Sequence, residues 1–211
     1  MKINFKQIIF NITLANRNIE YLVIHDTGNR RIGANAEAHF NYFNSGNRNA
    51  SADFFVDDEE ILQVNDYTKY YTWHCGDGKG QYGITNRNSI GIEMCVNSDG
   101  DFERVLANTI QLVKELKKKF PNAKVVRHYD ASRKICPASL SHNNWQGWQE
   151  FLKRLEEPKT ITIKVDGKII ETDVEPINVN GRVLVPVRVV AEALGCKVDW
   201  DGDTQTVKIT R

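Results

Sequence analysis

A change of pattern near Pro158 constrains the fold of this chain most, because it divides the chain into two parts. A helical pattern stops there, and proline disfavours helix both at its own position and at the residue before it. Short β-branched runs separated by turn signals then follow from Ile161 to Arg211. We therefore expect a larger domain at residues 1–157 and a small strand-rich domain at 158–211. A chain of 211 residues is long enough for both.

Strand and helix patterns alternate in the larger part. The apolar run Tyr21 to His25 is typical of a buried strand that ends at the histidine. From Ser89 to Val96, strict alternation places Glu93 in mid-strand, on the face opposite Ile90 and Ile92. The patterns also predict helices at 35–42, 103–120 and 145–155 and strands at 54–56, 61–64 and 123–127.

These elements predict an α/β fold in which helices flank a mixed central β-sheet. The tail is predicted to be a second, small, strand-rich α+β domain. Its turn signals are Asp166-Gly167, Asn180-Gly181 and Asp201-Gly202. One short helix is expected after Pro186 and before Gly195, because proline is favoured at the start of a helix and glycine just after its end.

Composition argues against several classes of partner and anchor. Lys and Arg total 28 and Asp and Glu 27, so the net charge of +1 gives no reason to expect nucleic acid. Because no apolar run approaches the roughly 20 residues of a membrane span, membrane insertion is not expected. Residues 1–11 lack an uninterrupted apolar core, so no signal peptide is predicted. The four cysteines form no C-x-x-C pair, which favours reduced thiols over a disulfide scaffold.

Three residues far apart in the sequence have the chemistry of a catalytic zinc site. His25 and His128 each end a predicted strand, and Cys136 lies in a loop that stops at Pro137. Two imidazoles and one thiolate suit zinc and leave a fourth position open for water. A single histidine at a strand end is more often structural, so the prediction depends on all three converging at one sheet edge. Cations near Cys136, including Arg133, are expected to favour its thiolate form.

Three further residues are candidates with open alternatives. Glu93 is either a solvated carboxylate on an edge strand or a costly, functional one on a central strand. Lys134 is either a solvated loop charge or a donor to an oxyanion. His74 is either a substrate-binding donor in a groove or a surface imidazole.

The motifs that contain these residues resemble the zinc-dependent N-acetylmuramoyl-L-alanine amidases, which share their fold with peptidoglycan-recognition proteins. The resemblance covers about Ile19 to Leu155. The matching segments are Leu22 to Thr27, Asn49 to Ala52, Trp73 to Gly76, Ser89 to Glu93 and His128 to Pro137. Some members of the family have tyrosine where this chain has Ala52, and others have histidine where it has Asp53.

The resemblance implies a function and roles for these residues. It implies that His25, His128 and Cys136 hold one zinc ion per chain, that Glu93 is the acid and base, and that Lys134 steadies the tetrahedral intermediate. The expected reaction is hydrolysis of the amide between N-acetylmuramic acid and L-alanine of the peptidoglycan stem peptide. Since no signal peptide is predicted, a phage or prophage endolysin is expected, made in the host cytoplasm and reaching the wall through holin-mediated release.

The tail resembles the domain named after the N-terminal region of copper amine oxidases, through the segments Val183 to Arg188 and Val198 to Trp200. From Pro158 onward there is no histidine and no methionine, so a copper site is chemically implausible. The tail is expected to bind cell wall or to mediate self-association, for example as a homodimer.

Besides a structural wall protein in which the tail is the functional part, two rival functions remain open at the level of sequence. The first is a non-catalytic peptidoglycan-binding module of the same fold. The second is a cysteine hydrolase that uses Cys75 or Cys95 as nucleophile with His74 as base.

Overall fold

The structure, a computed structural model, describes residues 3–157, 161–179 and 181–211. It divides into two compact units, Met1–Glu156 and Glu157–Arg211. Pro158 and Asn180, a predicted boundary residue and a predicted turn residue, lie outside the described residues. Among the helices that are described, none is both long enough and apolar enough to cross a bilayer.

The first unit combines short strands with helices of very different lengths. Its strands are β1 (Ile3–Phe5), β2 (Ile12–Leu14), β3 (Tyr21–Asp26), β4 (Phe54–Val56), β5 (Ile61–Gln63), β6 (Tyr70–Thr72), β7 (Ser89–Met94) and β8 (Lys124–Arg127). Its helices are α1 (Ala36–Asn44), α2 (Phe102–Lys119), α3 (His128–Ser132) and α4 (His142–Glu156).

A six-stranded mixed sheet in the order β1-β5-β4-β7-β3-β8 forms the centre of this unit. Strand β3 pairs in parallel with both β7 and β8, and β4 also runs parallel to β7. The β4–β5 pair is antiparallel, as the predicted hairpin requires. Strands β2 and β6 form a separate antiparallel pair. The prediction of a mixed sheet flanked by helices is confirmed.

The two faces of the sheet bury different sets of apolar side chains. Ile90, Ile92 and Met94 of β7 pack on one face with residues of α2 and α4. On the other face, Phe55 of β4 packs with residues of α1 and its surroundings. The alternation predicted along β7 is therefore confirmed, and Glu93 faces away from the larger core.

Helix α2 follows the predicted pattern closely because its ends carry local signals. The Asp101 side chain accepts hydrogen bonds from the N–H groups of Glu103 and Arg104, and three lysines occupy the last turn. A carboxylate at the N-terminus and cations at the C-terminus both interact favourably with the helix dipole. Helix α1 is capped similarly, since Asn35 accepts from the N–H of Ala38.

Several elements were not predicted, and all of them are short or irregular. Strands β1, β2 and β6 have three residues each, and α3 has five, too few for a periodic pattern. Helix α4 is irregular at its start: residues 143–145 have left-handed, non-helical backbone angles, so the regular helix begins after Trp145, close to the predicted start.

The second unit consists of hairpins and one helix. Its elements are β9 (Ile163–Val165), β10 (Lys168–Ile170), β11 (Ile177–Val179), β12 (Arg182–Leu184), α5 (Val187–Ala193), β13 (Lys197–Asp201) and β14 (Thr206–Thr210). Consecutive strands pair in three separate antiparallel hairpins. Among the described residues of this unit, only Ala191 and Val198 are buried. The prediction of a strand-rich α+β tail is confirmed.

A buried polar network centred on Asp53 connects several segments of the first unit. Asp53 is fully buried and accepts hydrogen bonds from Asn65 Nδ2 at 2.7 Å, Thr72 Oγ1 at 2.9 Å and the Gly91 N–H at 2.8 Å. The Arg17 guanidinium lies 3.6 Å from its carboxylate, with a side chain only 2% exposed. Burial raises the pKa of Asp53, and the Arg17 charge and these hydrogen bonds oppose the rise. Asp53 is therefore a structural residue of the interior.

We expect the variant Asp53→Ala to lower the free energy of unfolding by about 3–5 kcal/mol, because it leaves a buried guanidinium without its carboxylate. Urea denaturation of the variant and the parent protein measures this loss. The control is Glu37→Ala, which removes the exposed Lys6–Glu37 pair of 2.6 Å and should cost less than about 1 kcal/mol. An Asp53→Ala loss no larger than that of the control would contradict the interpretation.

Candidate metal centre

His25, His128 and Cys136 converge at one edge of the central sheet. Their potential ligand atoms all lie within 4.8 Å of one another, and their residues are 2%, 4% and 6% exposed. His25 lies near the carboxyl end of β3, and His128 directly follows β8. Because β3 and β8 are parallel neighbours, their carboxyl ends meet at the same edge. The convergence that the sequence prediction required is present.

His25 and His128 each use one ring nitrogen, Nε2, in a hydrogen bond to a neighbouring side chain. The other nitrogen of each ring, Nδ1, is left for the candidate metal centre. His128 Nε2 lies 2.8 Å from Asp77 Oδ1, while its Nδ1 is buried without a hydrogen-bond partner. His25 Nε2 bonds to His74 Nδ1 at 3.0 Å, and its Nδ1 lies 3.8 Å from Cys136 Sγ. A buried nitrogen without a partner, next to a second imidazole and a thiol, is the donor set that zinc prefers. These residues therefore fit a zinc ion.

Burial sets the protonation of the three candidate ligands. It lowers the pKa of His25 well below its usual value and also lowers that of His128, so both rings are neutral at pH 7 with a lone pair available. Burial, followed by the charge of Glu93, raises the pKa of the Cys136 thiol to about 12. Lys134 lowers the pKa of this thiol, as expected of a nearby cation, but desolvation outweighs it, so the thiol is protonated in the metal-free protein. Metal uptake must therefore displace a proton from this thiol.

Glu93 lies beside His25 on the neighbouring strand. The two residues are register partners in the β3–β7 pair, and Glu93 Oε1 is 3.8 Å from His25 Nδ1. Since β7 lies between β4 and β3, the alternative of an edge-strand carboxylate is wrong. Burial, with a smaller contribution from Asp26, raises the pKa of Glu93 to about 8. Its Oε2 is buried without a hydrogen-bond partner, so the carboxyl can exchange a proton near neutral pH.

Two cavities flank the convergence point, and Lys134 lines both. One cavity of about 410 Å³ also contains Glu93 and Asp26 together with Tyr42 and Phe43 from α1. The other, of about 490 Å³, is lined by His128, Asp77, His74, Asn49, Ala50, Tyr71, Trp73, Gly76 and Asn86. Lys134 is exposed, so its ammonium can reach a ligand in either cavity. Its role as an oxyanion donor stays a prediction.

His74 is buried, at 8% exposure, so the alternative of a surface imidazole is wrong. It borders the second cavity but also bonds to His25 Nε2, a contact that the sequence could not reveal. Burial lowers the pKa of His74 to about 3. Its predicted part in substrate binding stays a prediction.

Two residues were not recognised in the sequence, Asp77, which bonds to His128, and Ser89, which bonds to His74. Asp77 lies between two glycines in a 3-10 turn at Gly76–Gly78, where the pattern indicates only a turn. The turn approaches α3 closely because Gly78 has no side chain: a Cβ there would lie 2.0 Å from the carbonyl oxygen of Ala131. Asp77 reaches His128 through this packing, and no spacing in the sequence predicts it.

The geometry disfavours the cysteine hydrolase. Cys75 and Cys95 are each 1% exposed, and burial raises the pKa of Cys75 to about 12 and that of Cys95 even further. Cys75 Sγ lies 4.0 Å from His74 Nε2, but a protonated thiol without access to substrate is a poor nucleophile. All four cysteines are free thiols.

Comparison with known proteins assigns the family. Residues 15–139, more than half of the chain, match the N-acetylmuramoyl-L-alanine amidase family. The chain belongs to this amidase family. Residues 158–211 match the copper amine oxidase N-terminal domain.

Named amidases of Bacillus subtilis (strain 168) are similar to the larger part of this family member. N-acetylmuramoyl-L-alanine amidase CwlH is 37% identical over 142 residues, 66% of this chain and 54% of the relative. XlyA is 42% identical over 122 residues, 57% of this chain and 40% of the relative. The chain thus spans about half the length of these curated relatives or less.

Solved structures agree with this assignment. The catalytic domain of XlyA aligns with a TM-score of 0.65 and 35% identity, covering 74% of this chain and 99% of that domain. A mutant endolysin from Bacillus subtilis aligns with a TM-score of 0.65 and 36% identity, covering 73% of this chain and 98% of its own. The amidase fold therefore corresponds to the first unit.

We expect the buried thiols of this amidase family member to resist alkylation. At pH 7, iodoacetamide should modify Cys196, which is partly exposed, at least about tenfold faster than Cys75, Cys95 or Cys136, because only a solvent-accessible thiolate reacts. Peptide mass spectrometry of a time course measures the four rates, and the same reaction in urea is the control in which all should react. Rapid labelling of folded Cys75 or Cys95 would revive the cysteine hydrolase.

Proposed function

We propose that the chain is a peptidoglycan hydrolase that cleaves the amide between N-acetylmuramic acid and L-alanine of the stem peptide. The observation that carries this proposal is the convergence of His25, His128 and Cys136 beside Glu93. Membership of the amidase family and the names of its relatives support the proposed bond and substrate.

The proposed metal is one zinc ion, held by the two imidazoles and the thiolate. When bound, zinc supplies a Lewis acid for the amide carbonyl and lowers the pKa of water to about 7. The protein contributes a dry and shaped surrounding for that chemistry. Asp77 holds the His128 ring in place through its 2.8 Å hydrogen bond, as carboxylates beside metal-binding histidines commonly do.

Glu93 is the proposed general base and acid. A residue in this role takes a proton from the attacking water and later returns it to the leaving amine, which requires a pKa near the working pH. The raised pKa of Glu93, about 8 in the metal-free protein, meets that requirement. Its Oε2, which has no hydrogen-bond partner in the protein, is free to receive or donate this proton.

Lys134 is the proposed donor to the oxyanion that develops on the amide carbonyl. The proposal is supported by its location, because Lys134 lines both cavities and its exposed side chain can reach a ligand in either. An ammonium there stabilises negative charge in the transition state more than in the ground state, and removing one such donor typically costs about 2.7–4 kcal/mol.

We propose bacterial peptidoglycan as the partner, with neither nucleic acid nor membrane insertion required for the reaction. The similarity to a mutant endolysin supports a phage or prophage endolysin that acts on the cell wall. Release from the host cytoplasm through holin-formed openings belongs to this proposal.

The second unit is proposed to bind cell wall or to associate with a second copy as a homodimer. Among its described residues, large apolar side chains such as Ile169, Leu184 and Trp200 are more than half exposed. Exposed apolar side chains at this density on a small unit favour contact with a partner surface. The absence of histidine and methionine from residue 158 onward argues against copper.

We expect Glu93→Gln to keep one zinc per chain and to lower turnover at least about 100-fold, because the amide cannot exchange the proton. The measurement is mass spectrometry of digested peptidoglycan, which detects free lactyl ends of muramic acid and new alanine amino termini. Elemental analysis of the same preparation gives the zinc content.

The matched control is His128→Ala, which should lose zinc and thermal stability together with activity, since it removes a ligand. If Glu93→Gln released alanine amino termini at the rate of the parent protein, Glu93 would not be the acid and base. If the parent protein bound peptidoglycan without releasing new amino termini, the non-catalytic binding module would replace the hydrolase.

Deletion of residues 158–211 should separate catalysis from attachment. We expect the remaining chain to hydrolyse soluble muropeptide within about threefold of the full chain, because the candidate metal centre lies in the first unit. Activity on intact walls should fall about tenfold or more if the second unit supplies attachment, as for linked binding modules in general. Loss of muropeptide hydrolysis in a deletion variant that remains folded would contradict this division of roles.

A further inference from the structure

A chain of hydrogen bonds, here called the relay, runs from His25 through His74 and Ser89 to the backbone of Thr85. His25 Nε2 lies 3.0 Å from His74 Nδ1, and His74 Nε2 lies 3.1 Å from Ser89 Oγ. The Ser89 hydroxyl in turn donates to the backbone carbonyl of Thr85. His25 is 2% exposed, His74 8% and Ser89 0%, so bulk water has little access to compete for these bonds.

The Thr85 carbonyl sets the direction of the whole chain. A carbonyl oxygen only accepts, and a serine hydroxyl has one proton to give. Since Ser89 gives its proton to Thr85, its oxygen must accept the N–H of His74 Nε2. A neutral imidazole carries one N–H, so His74 Nδ1 must accept from His25 Nε2. The proton of His25 is thereby held on Nε2, and its lone pair lies on Nδ1, the atom that faces Cys136 and Glu93.

Packing against the sheet holds the His74 ring in this position. A Cβ at Gly91 of β7 would lie 2.5 Å from His74 Cγ, so the ring occupies space that only glycine leaves open. The side-chain oxygen of Asn86 accepts the backbone N–H groups of His74 and Cys75, at 3.1 Å and 2.8 Å. The backbone at His74 and the His74 ring are therefore both held in place. A residue that orients another side chain must itself be fixed in this way.

We propose that His74 and Ser89 are positioning residues that hold His25 in the one tautomer able to bind a metal through Nδ1. The inference rests on the proposed zinc function for its consequence, although the tautomer itself is a property of the metal-free protein. Asp77 holds His128 in the matching tautomer from the opposite side, because its carboxylate at 2.8 Å accepts the N–H of Nε2. The relay gives His74 a role in the support of a ligand, in addition to its place at the border of the second cavity.

The test combines two measurements on 15N-labelled protein at pH 7. Long-range proton–nitrogen spectra of the metal-free parent should show His25 and His74 each protonated on Nε2. In Ser89→Ala the acceptor for His74 is gone, so both rings should shift toward the Nδ1–H form. Competition of Zn²⁺ against a chromophoric chelator should then show affinity about 10–100-fold weaker than in the parent, the range typical of lost support for a metal ligand.

Four further variants test the orientation of the His74 ring and its packing. Cys75→Ala removes a buried thiol that lies 3.8 Å from the same Ser89 oxygen and should leave both the tautomers and the zinc affinity unchanged. His74→Asn places an amide oxygen near the position of Nδ1 and should bind zinc more tightly than His74→Ala. Gly91→Ala, which adds no polar group, should weaken zinc binding as Ser89→Ala does, because its methyl displaces the ring.

The measurements distinguish failure of the relay from failure of the proposed zinc function. A parent protein that takes up no zinc would overturn the function, while the spectra of the metal-free protein would still decide the tautomer. The relay itself is wrong if His25 in the parent is protonated on Nδ1. It is also wrong if a folded Ser89→Ala keeps both the parent spectrum and the parent zinc affinity.

Discussion

The parallel pairing of β3 with β7 on one side and β8 on the other is the constraint on which the site depends. Its register places His25 opposite Glu93 and aligns Ile24 with Arg127, the residue before His128. A slip of one residue in either pair would turn the side chains of that strand to the opposite face. The apolar residues of β7 prevent such a slip, because Ile90, Ile92 and Met94 would lose their place in the core. Core packing therefore holds the geometry of the candidate metal centre.

Burial favours the uncharged form of every titratable group in the candidate metal centre. The consequence for metal binding differs between the imidazoles and the acidic groups. Desolvation keeps the imidazoles neutral, which suits them as ligands, but it also keeps the Cys136 thiol and the Glu93 carboxyl protonated. The metal-free site therefore has uncharged donors, and the charged groups at its border are Asp26, Asp77 and Lys134. A bound divalent cation reverses the preference for the protonated forms, because its charge stabilises the Cys136 thiolate and the Glu93 carboxylate.

Sequence patterns predicted those parts of the fold in which local and global signals agree. Helix α2 has caps and a long amphipathic pattern, and β7 alternates without interruption, so both were placed within one or two residues. The three candidate ligands were found because each ends a strand or lies in a loop beside one. The effect of Lys134 on Cys136 was predicted in the right direction, but the larger effect of desolvation was not, since flanking cations are visible in a sequence and burial is not.

Contacts between distant segments could not be predicted. Asp77 meets His128 only because Gly78 allows a turn to touch α3, and Ser89 meets His74 only because Gly91 leaves room for a ring. Each of these contacts depends on the absence of a side chain at one position, and a single glycine has many interpretations in a sequence. The strand order was also needed to decide whether Glu93 lies on an edge strand or on a central strand. The periodicity of a single strand does not give that order.

The relay behind His25 ends on a main-chain atom, and this has a consequence for how the site can vary among descendants of this sequence. Replacement of residue 85 by any other amino acid leaves the carbonyl in place, provided the backbone keeps its path. The direction of the hydrogen bonds in the relay thus depends on the path of the backbone. Substitution of the side chain at position 85 cannot reverse it.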